Sequence, residues 1–223
     1  MLNFGFALFA FLAAHVIPRS TGLRDWGIAR FGRKSYMMAY SLMSLGLLVW
    51  LLSAAINAPY LGLWVTTQLS VTVAIIVMFF ACIIFSSGVI RSNSLSISFR
   101  GGETDLDNPG ILALVRHPII FAFLLWSAAH LLVNGDVVGV ILFGGMLLFS
   151  VLGLRIALRR ATKRLSADQL ANYLTVDQGP IGERIRRAMS AKFAVEIATG
   201  SLLFLALLFG HQYFIGVSPL VYF

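Results

Sequence analysis

His117 and His130 are separated by PIIFAFLLWSAA, a run in which no side chain ionises. Imidazole titrates close to neutrality and is a common ligand of haem iron. An imidazole set among apolar residues therefore needs a partner: an acceptor, a metal or a charge. His15 in FLAAHVIP and His211 in LFGHQYF stand in similar surroundings, and Glu196 is the one acidic residue inside an apolar run. Such residues are functional candidates by default, because burying one alone is costly.

Each also has a plainer explanation. Glu196 follows Lys192 by one helical turn, the spacing of an ion pair on a helix surface, which predicts a pair at the rim of a span. His211 adjoins Gln212 and Tyr213, which suits interfacial hydrogen bonding. Phe4, Leu8, Phe11 and His15 recur at spacings of four, three and four, so they share one helical face. That face is either core packing around a satisfied imidazole or the wall of a flat apolar macrocycle. Trp126 and Ser127 share a face with His130, with the same two readings. The single cysteine, Cys82 in VMFFACIIF, rules out an internal disulfide framework and a cysteine-based metal site. It reads as inert packing.

The elements that must position these residues follow from composition. The chain is 59% hydrophobic and 12% charged, with a mean hydropathy of +0.88 over 223 residues, the signature of a polytopic membrane protein. The fold class expected is all-α, a transmembrane bundle of about six spans in one domain over 1–223. The spans are predicted near 2–17, 37–56, 69–90, 118–133, 137–154 and 193–218. Residues 1–17 lack a basic n-region and a small-x-small cleavage site, so they read as a retained helix.

All 17 Lys and Arg residues fall in three connections: five in 18–36, three between Arg91 and Arg116, and nine in 155–192. The positive-inside rule places these loops in the cytoplasm and both termini on the outer, periplasmic side. The net charge of +8 is then an orientation signal with some attraction to anionic lipid headgroups, and nucleic acid is not an expected partner.

Asp107-Asn108-Pro109 predicts a helix start near Pro109 that runs on into Pro118. Pro118 cannot donate to the carbonyl of Leu114, so a bend or break is expected with Arg116 and His117 standing at it. Asn134-Gly135-Asp136 predicts a tight turn into the next helix, where Gly144-Gly145 and Gly153 would allow close helix contact. The connection 155–192 reads as a basic linker or an amphipathic helix, with a capping box from Ser166 to Gln169; it could lie as a lid over the bundle.

Three stretches together resemble a known family: FLAAHVIPRSTGLRDWGIARFGRKSYMMAYSLMSL, then NSLSIS, then NPGILALVRHPIIFAFLLWSAAHLLVNGD. They are similar to the NnrU family of bacterial membrane proteins, which also looks like the plant and cyanobacterial zeta-carotene isomerase. The likeness covers about 5–165. It rests on a histidine on the first helix followed by Gly-Leu-Arg, and on Arg-His-Pro with Trp-x-x-Ala-His, whose histidine comes thirteen residues later. It implies a multi-pass inner-membrane protein, linked to nitric oxide and nitrate metabolism in denitrifying bacteria or to isomerase-like redox chemistry on an apolar small molecule.

The isomerase holds haem b, and its iron ligands match His15 and His130. Arg116 and His117 are further candidates for contact with the cofactor. The isomerase's cysteine three residues before the second histidine is Ser127 here, which puts a thiolate ligand switch in doubt. Depth raises a second question. His130 lies about 20 Å along its helix from His117, near the outer face, whereas His15 is placed near the cytoplasmic one. Two imidazoles on one iron need similar depth, so His15 with His117, and His130 with His211, are the geometric alternatives.

Two further classes stay open. Arg-His-Pro at the mouth of an apolar hairpin also resembles S-adenosylmethionine-dependent membrane methyltransferases of the isoprenylcysteine type, although the carboxylate pair expected later is absent beyond Asp168. In the other class the protein is a cofactor-free membrane regulator and every histidine is structural.

Overall fold

The computed structural model describes residues 1–94, 96–100, 102 and 104–223, and all their side chains but that of Arg164. Leu95 of NSLSIS, Gly101 and Glu103 of the same loop, and the Arg164 charge in 155–192 lie outside the described residues. Among those described the regular elements are helical, and the only β pairing is an isolated bridge between Gly62 and Asp136. The chain forms two compact units, Met1–Leu61 and Gly62–Phe223.

The first unit holds α1 (Leu2–Ser20), α2 (Leu23–Phe31) and α3 (Arg33–Ile56). Residues 18–36 are therefore not the plain connector expected. Gly22 and Gly32, at φ 74° and 79°, punctuate the chain on either side of a nine-residue helix. α1 and α3 run antiparallel: the Trp50 indole donates to Asn3 Oδ1 at 3.2 Å near one end, and His15 meets the edge of Tyr40 at 5.8 Å near the other.

The second unit is built on α4 (Gln68–Ile90), α5 (Pro118–Val133) and α10 (Ala191–Ile215), with the rod 137–164 alongside α5. Thr67 and Ser70 close a capping box that starts α4. The rod comprises α6 (Val137–Gly139), a π-helical turn (Val140–Gly144) and α7 (Gly145–Arg164). Asp136 caps its start by accepting from the backbone of Val138 and Gly139. The expected close contact at Gly144-Gly145 is not found: a Cβ added at Gly145 would meet nothing within 4 Å, because the π turn re-aims this segment. Gly153 does meet a neighbour, Ile120. α7 runs ten residues beyond the expected span end, so the arginines at 155–160 are helical.

Among the described residues five segments are long and apolar enough to cross a membrane: α1, α3, α4, the rod and α10. The chain is by this measure a multi-pass membrane protein. α5 has only 16 residues, roughly 24 Å at 1.5 Å per residue against a hydrocarbon core of about 30 Å. No continuous helix starts at Pro109. Gly110–Ala113 form a 3₁₀ turn, the chain then opens, and α5 begins at Pro118 itself. Proline disfavours helical backbone in the residue before it, and His117 stands at φ −120°, ψ 68°. Irregular backbone at such a place must be covered by protein. Ile111, Leu112 and Ala113 are accordingly buried in a core with Val176, Ala188 and Phe193.

Val176 and Ala188 come from 155–192, so this connection carries buried positions into the core as well as its exposed basic ones. After α7 it folds into α8 (Ala167–Thr175), with the expected Ser166–Gln169 capping box, and α9 (Ile181–Ala188). α9 packs against the 3₁₀ turn.

Candidate functional sites

The break before Pro118 turns Arg116 and His117 out of helical geometry and into a polar network. The His117 ring is hydrogen-bonded at Nδ1 to the Ser96 hydroxyl, 2.6 Å, and at Nε2 to the Tyr173 hydroxyl, 2.8 Å. Burial, aided by the Arg116 charge, lowers the His117 pKa to about 4, so at neutral pH the ring donates through one nitrogen and accepts through the other. Burial raises the Tyr173 pKa, against the opposing pull of Arg116. Arg116 lies over the Tyr173 ring at 4.7 Å, donates to the Leu174 carbonyl at the end of α8 and pairs with Asp177. α8 is thereby latched to the start of α5.

A second pair lies nearby, tied to the first through the chain. Arg91, just past α4, pairs with Glu196 of α10 at 2.7 Å and donates to the Asn108 carbonyl at 2.6 Å. Asn93 donates to the carbonyl of Arg116 at 3.1 Å. Glu196 therefore does not form the rim pair with Lys192 that its spacing suggests. It is wholly buried, and helix α10 faces it toward α4, where Arg91 neutralises it. Arg184 covers the open carbonyls of Ala113 and Leu114 at 3.0 and 2.5 Å. Arg91, Arg116 and Arg184 each direct at least part of the guanidinium at a protein partner. A cavity of about 80 Å³ lies beside Arg91 and Lys192.

The other end of α5 differs. His130 donates from Nδ1 to the Trp126 carbonyl at 2.9 Å and packs against the rings of Trp126, 4.9 Å, and Phe143, 5.0 Å. His211 of α10 comes to 6.4 Å between ring centroids, with the planes 32° apart, and its own Nδ1 donates to the Val217 carbonyl at 2.7 Å. Ser127 is buried and returns its hydroxyl proton to the Phe123 carbonyl at 2.7 Å, within α5. His15, in the first unit, repeats the local pattern: its Nδ1 donates to Phe11 at 2.7 Å, and the Phe11 ring lies 4.5 Å away.

The structure thus brings His130 to His211, and ties His117 to Ser96 and Tyr173. The sequence carried no pointer to Asp177 or Arg184, which act through backbone contacts and pairs some sixty or seventy residues apart. The rule that a buried carboxylate needs a cation would have directed attention from Glu196 to the basic residues at the ends of neighbouring spans. Among the described residues no group of three or more His, Cys, Asp or Glu gathers to hold a bare metal ion. A family model described as NnrU protein matches residues 3–219, and no curated protein and no solved structure matches the chain.

Proposed function

The chain belongs to the NnrU family, and on that premise we propose that it is an inner-membrane haem b protein with His130 as an iron ligand. The observation that carries this is the state of the His130 ring. Its Nδ1 proton is committed to the Trp126 carbonyl, which fixes the tautomer and leaves Nε2 as a lone pair. Metal-binding imidazoles donate their other ring N–H to a backbone carbonyl or carboxylate in the same way. Trp126 and Phe143 supply an apolar aromatic wall beside it, which suits a flat macrocycle and keeps water from its faces. The first-unit histidine His15 has the same fixed tautomer and is the ligand the family resemblance pairs with His130.

Haem b would supply one-electron redox chemistry, in service of nitrogen-oxide metabolism or of an isomerase-like conversion of an apolar molecule drawn from the bilayer. The chain's own contribution is to fix the imidazole, exclude water and hold the basic end of α5 rigid. Arg116 and His117 serve that last role as positioning residues. The Arg116 donors and both His117 ring nitrogens already have protein partners, which favours the haem reading over the methyltransferase one, where they would face S-adenosylmethionine. With the arginine-rich end in the cytoplasm, the His130 end of α5 lies toward the periplasmic side.

The test is an absorption spectrum of detergent-purified protein, oxidised and reduced with dithionite, after expression with ample haem supply. A Soret band that is lost in His130→Ala is expected. No band in the parent protein overturns the proposal, and tight S-adenosylmethionine binding in its place would establish the methyltransferase.

A further inference from the structure

We infer that His211 is the second axial ligand, so that α5 and α10 of the second unit hold the iron between them as a bis-imidazole site. This rests on the haem reading above and goes beyond the ligand set the family resemblance implies.

Three observations point there. First, both rings have the same fixed tautomer, each Nδ1 donating to a backbone carbonyl: His130 to Trp126 and His211 to Val217. For His211 this acceptor exists because Gly216, at φ 85°, ends α10 in left-handed geometry and turns the chain back on the ring. Both Nε2 atoms are left to accept. Second, the spacing matches. Nitrogen–metal bonds of about 2.0–2.1 Å and about 1.1 Å from each nitrogen to its ring centre put the centroids of two opposed imidazoles roughly 6.3 Å apart, whereas a tetrahedral angle would draw them to about 5 Å. The observed 6.4 Å matches the wider of these two spacings. Third, the two rings lie at matching depth on helices that leave the same network in the same direction. His130 follows His117 by 13 residues and His211 follows Glu196 by 15, roughly 20 and 22 Å of helix. Depth was the objection to pairing His130 with a ligand near the basic end of the bundle, and His211 meets it.

The experiment uses the full chain loaded with haem, read by absorption and by electron paramagnetic resonance of the ferric state. The parent protein should show a six-coordinate, low-spin spectrum. His211→Gly should lose it in favour of a high-spin form, and added imidazole should restore it. His211→Met should keep six-coordination and raise the reduction potential, as a thioether ligand does. His15→Ala should leave the low-spin signal in place. Protection of the Cys82 thiol from labelling checks that each variant is folded. Loss of the low-spin signal in His15→Ala, with His211→Gly unchanged, overturns the inference while leaving the haem reading intact. Absence of a Soret band in the parent protein overturns both.

Discussion

Replacing Glu196 by alanine leaves the Arg91 guanidinium buried without its counter-charge. The two side chains are 0% and 3% exposed, so water cannot take over the solvation. Breaking such a pair from one side costs about 3–5 kcal/mol, whereas exchanging both members for apolar residues of similar volume is often neutral or stabilising. The single cysteine offers a direct readout. Cys82 is buried on α4 where α10 crosses it, close enough that a Cβ at Gly200 would sit 3.0 Å from its carbonyl oxygen. Its labelling by a thiol reagent in mild detergent therefore reports the opening of α10 from α4. Where reclosing is fast, the labelling rate follows the opening equilibrium, so Glu196→Ala should speed it by roughly 100- to several thousand-fold. Arg91→Met with Glu196→Leu should return it to within about tenfold of the parent. Parent-like labelling in Glu196→Ala would refute the reasoning. Equal damage in the double variant would transfer the energetic role to the Arg91 bond with the Asn108 carbonyl.

Acid should loosen the Arg116–His117 network. The unfolded histidine binds a proton near pH 6.5 and the folded one only near 4, so stability is full above about 6.5, falls as pH drops toward 4, and loses at most roughly 3 kcal/mol; His117→Gln should flatten that slope in thermal unfolding across pH. Arg116→Ala removes the Asp177 pair, the Leu174 contact and the cover on Tyr173. Because the pair is partly exposed, the fold should survive, but proteolytic cleavage within 165–180 should accelerate, and unchanged digestion would show that α8 is held by its apolar contacts alone. Gly200→Val would drive a side chain into the backbone of α4, 2.9 Å from Ile83 N, and should cost about 1–3 kcal/mol by overpacking. Gly46→Ala, with nothing within 4 Å, serves as the neutral control in the same thiol assay.

What could be read from sequence divides by the range of the interaction. The apolar runs predicted the spans because hydropathy is a local property, and Pro118 predicted the break because proline acts on its own turn and the residue before it. Of the bend and the break, the break is what forms, with the 3₁₀ turn separated from α5. The Ser166–Gln169 box was visible for the same local reason. Glu196 shows the limit: Lys192 was the nearest cation along the helix, but helical rotation aimed the carboxylate at α4, and a partner 105 positions earlier took the charge. In 155–192 the helix restart was legible, but not the long-range contacts by which Arg184 and Arg187 reach the backbone carbonyls of Leu114 and Gln178.

The buried ion pair and the histidine pair sit at opposite ends of α10, and this couples them. Glu196 fixes the start of α10 against Arg91, Gly200 then lets its backbone approach α4 closely, and His211 is carried along about 16 Å beyond Gly200 by a helix with no further adjustment. Asn93 holds the Arg116 carbonyl two residues before α5 begins, so the depth of His130 is referred to the same place. A shift of α10 by one residue would rotate His211 about 100° around the helix and take its ring away from His130. The polar network at the basic end therefore acts as the register pin for the imidazoles at the other. Gly200→Val, which touches neither histidine, should for this reason weaken the low-spin haem signal as well as stability. If stability falls and the signal stays whole, the histidines are positioned locally, by Gly216 and the Trp126 carbonyl, and the network serves the fold alone.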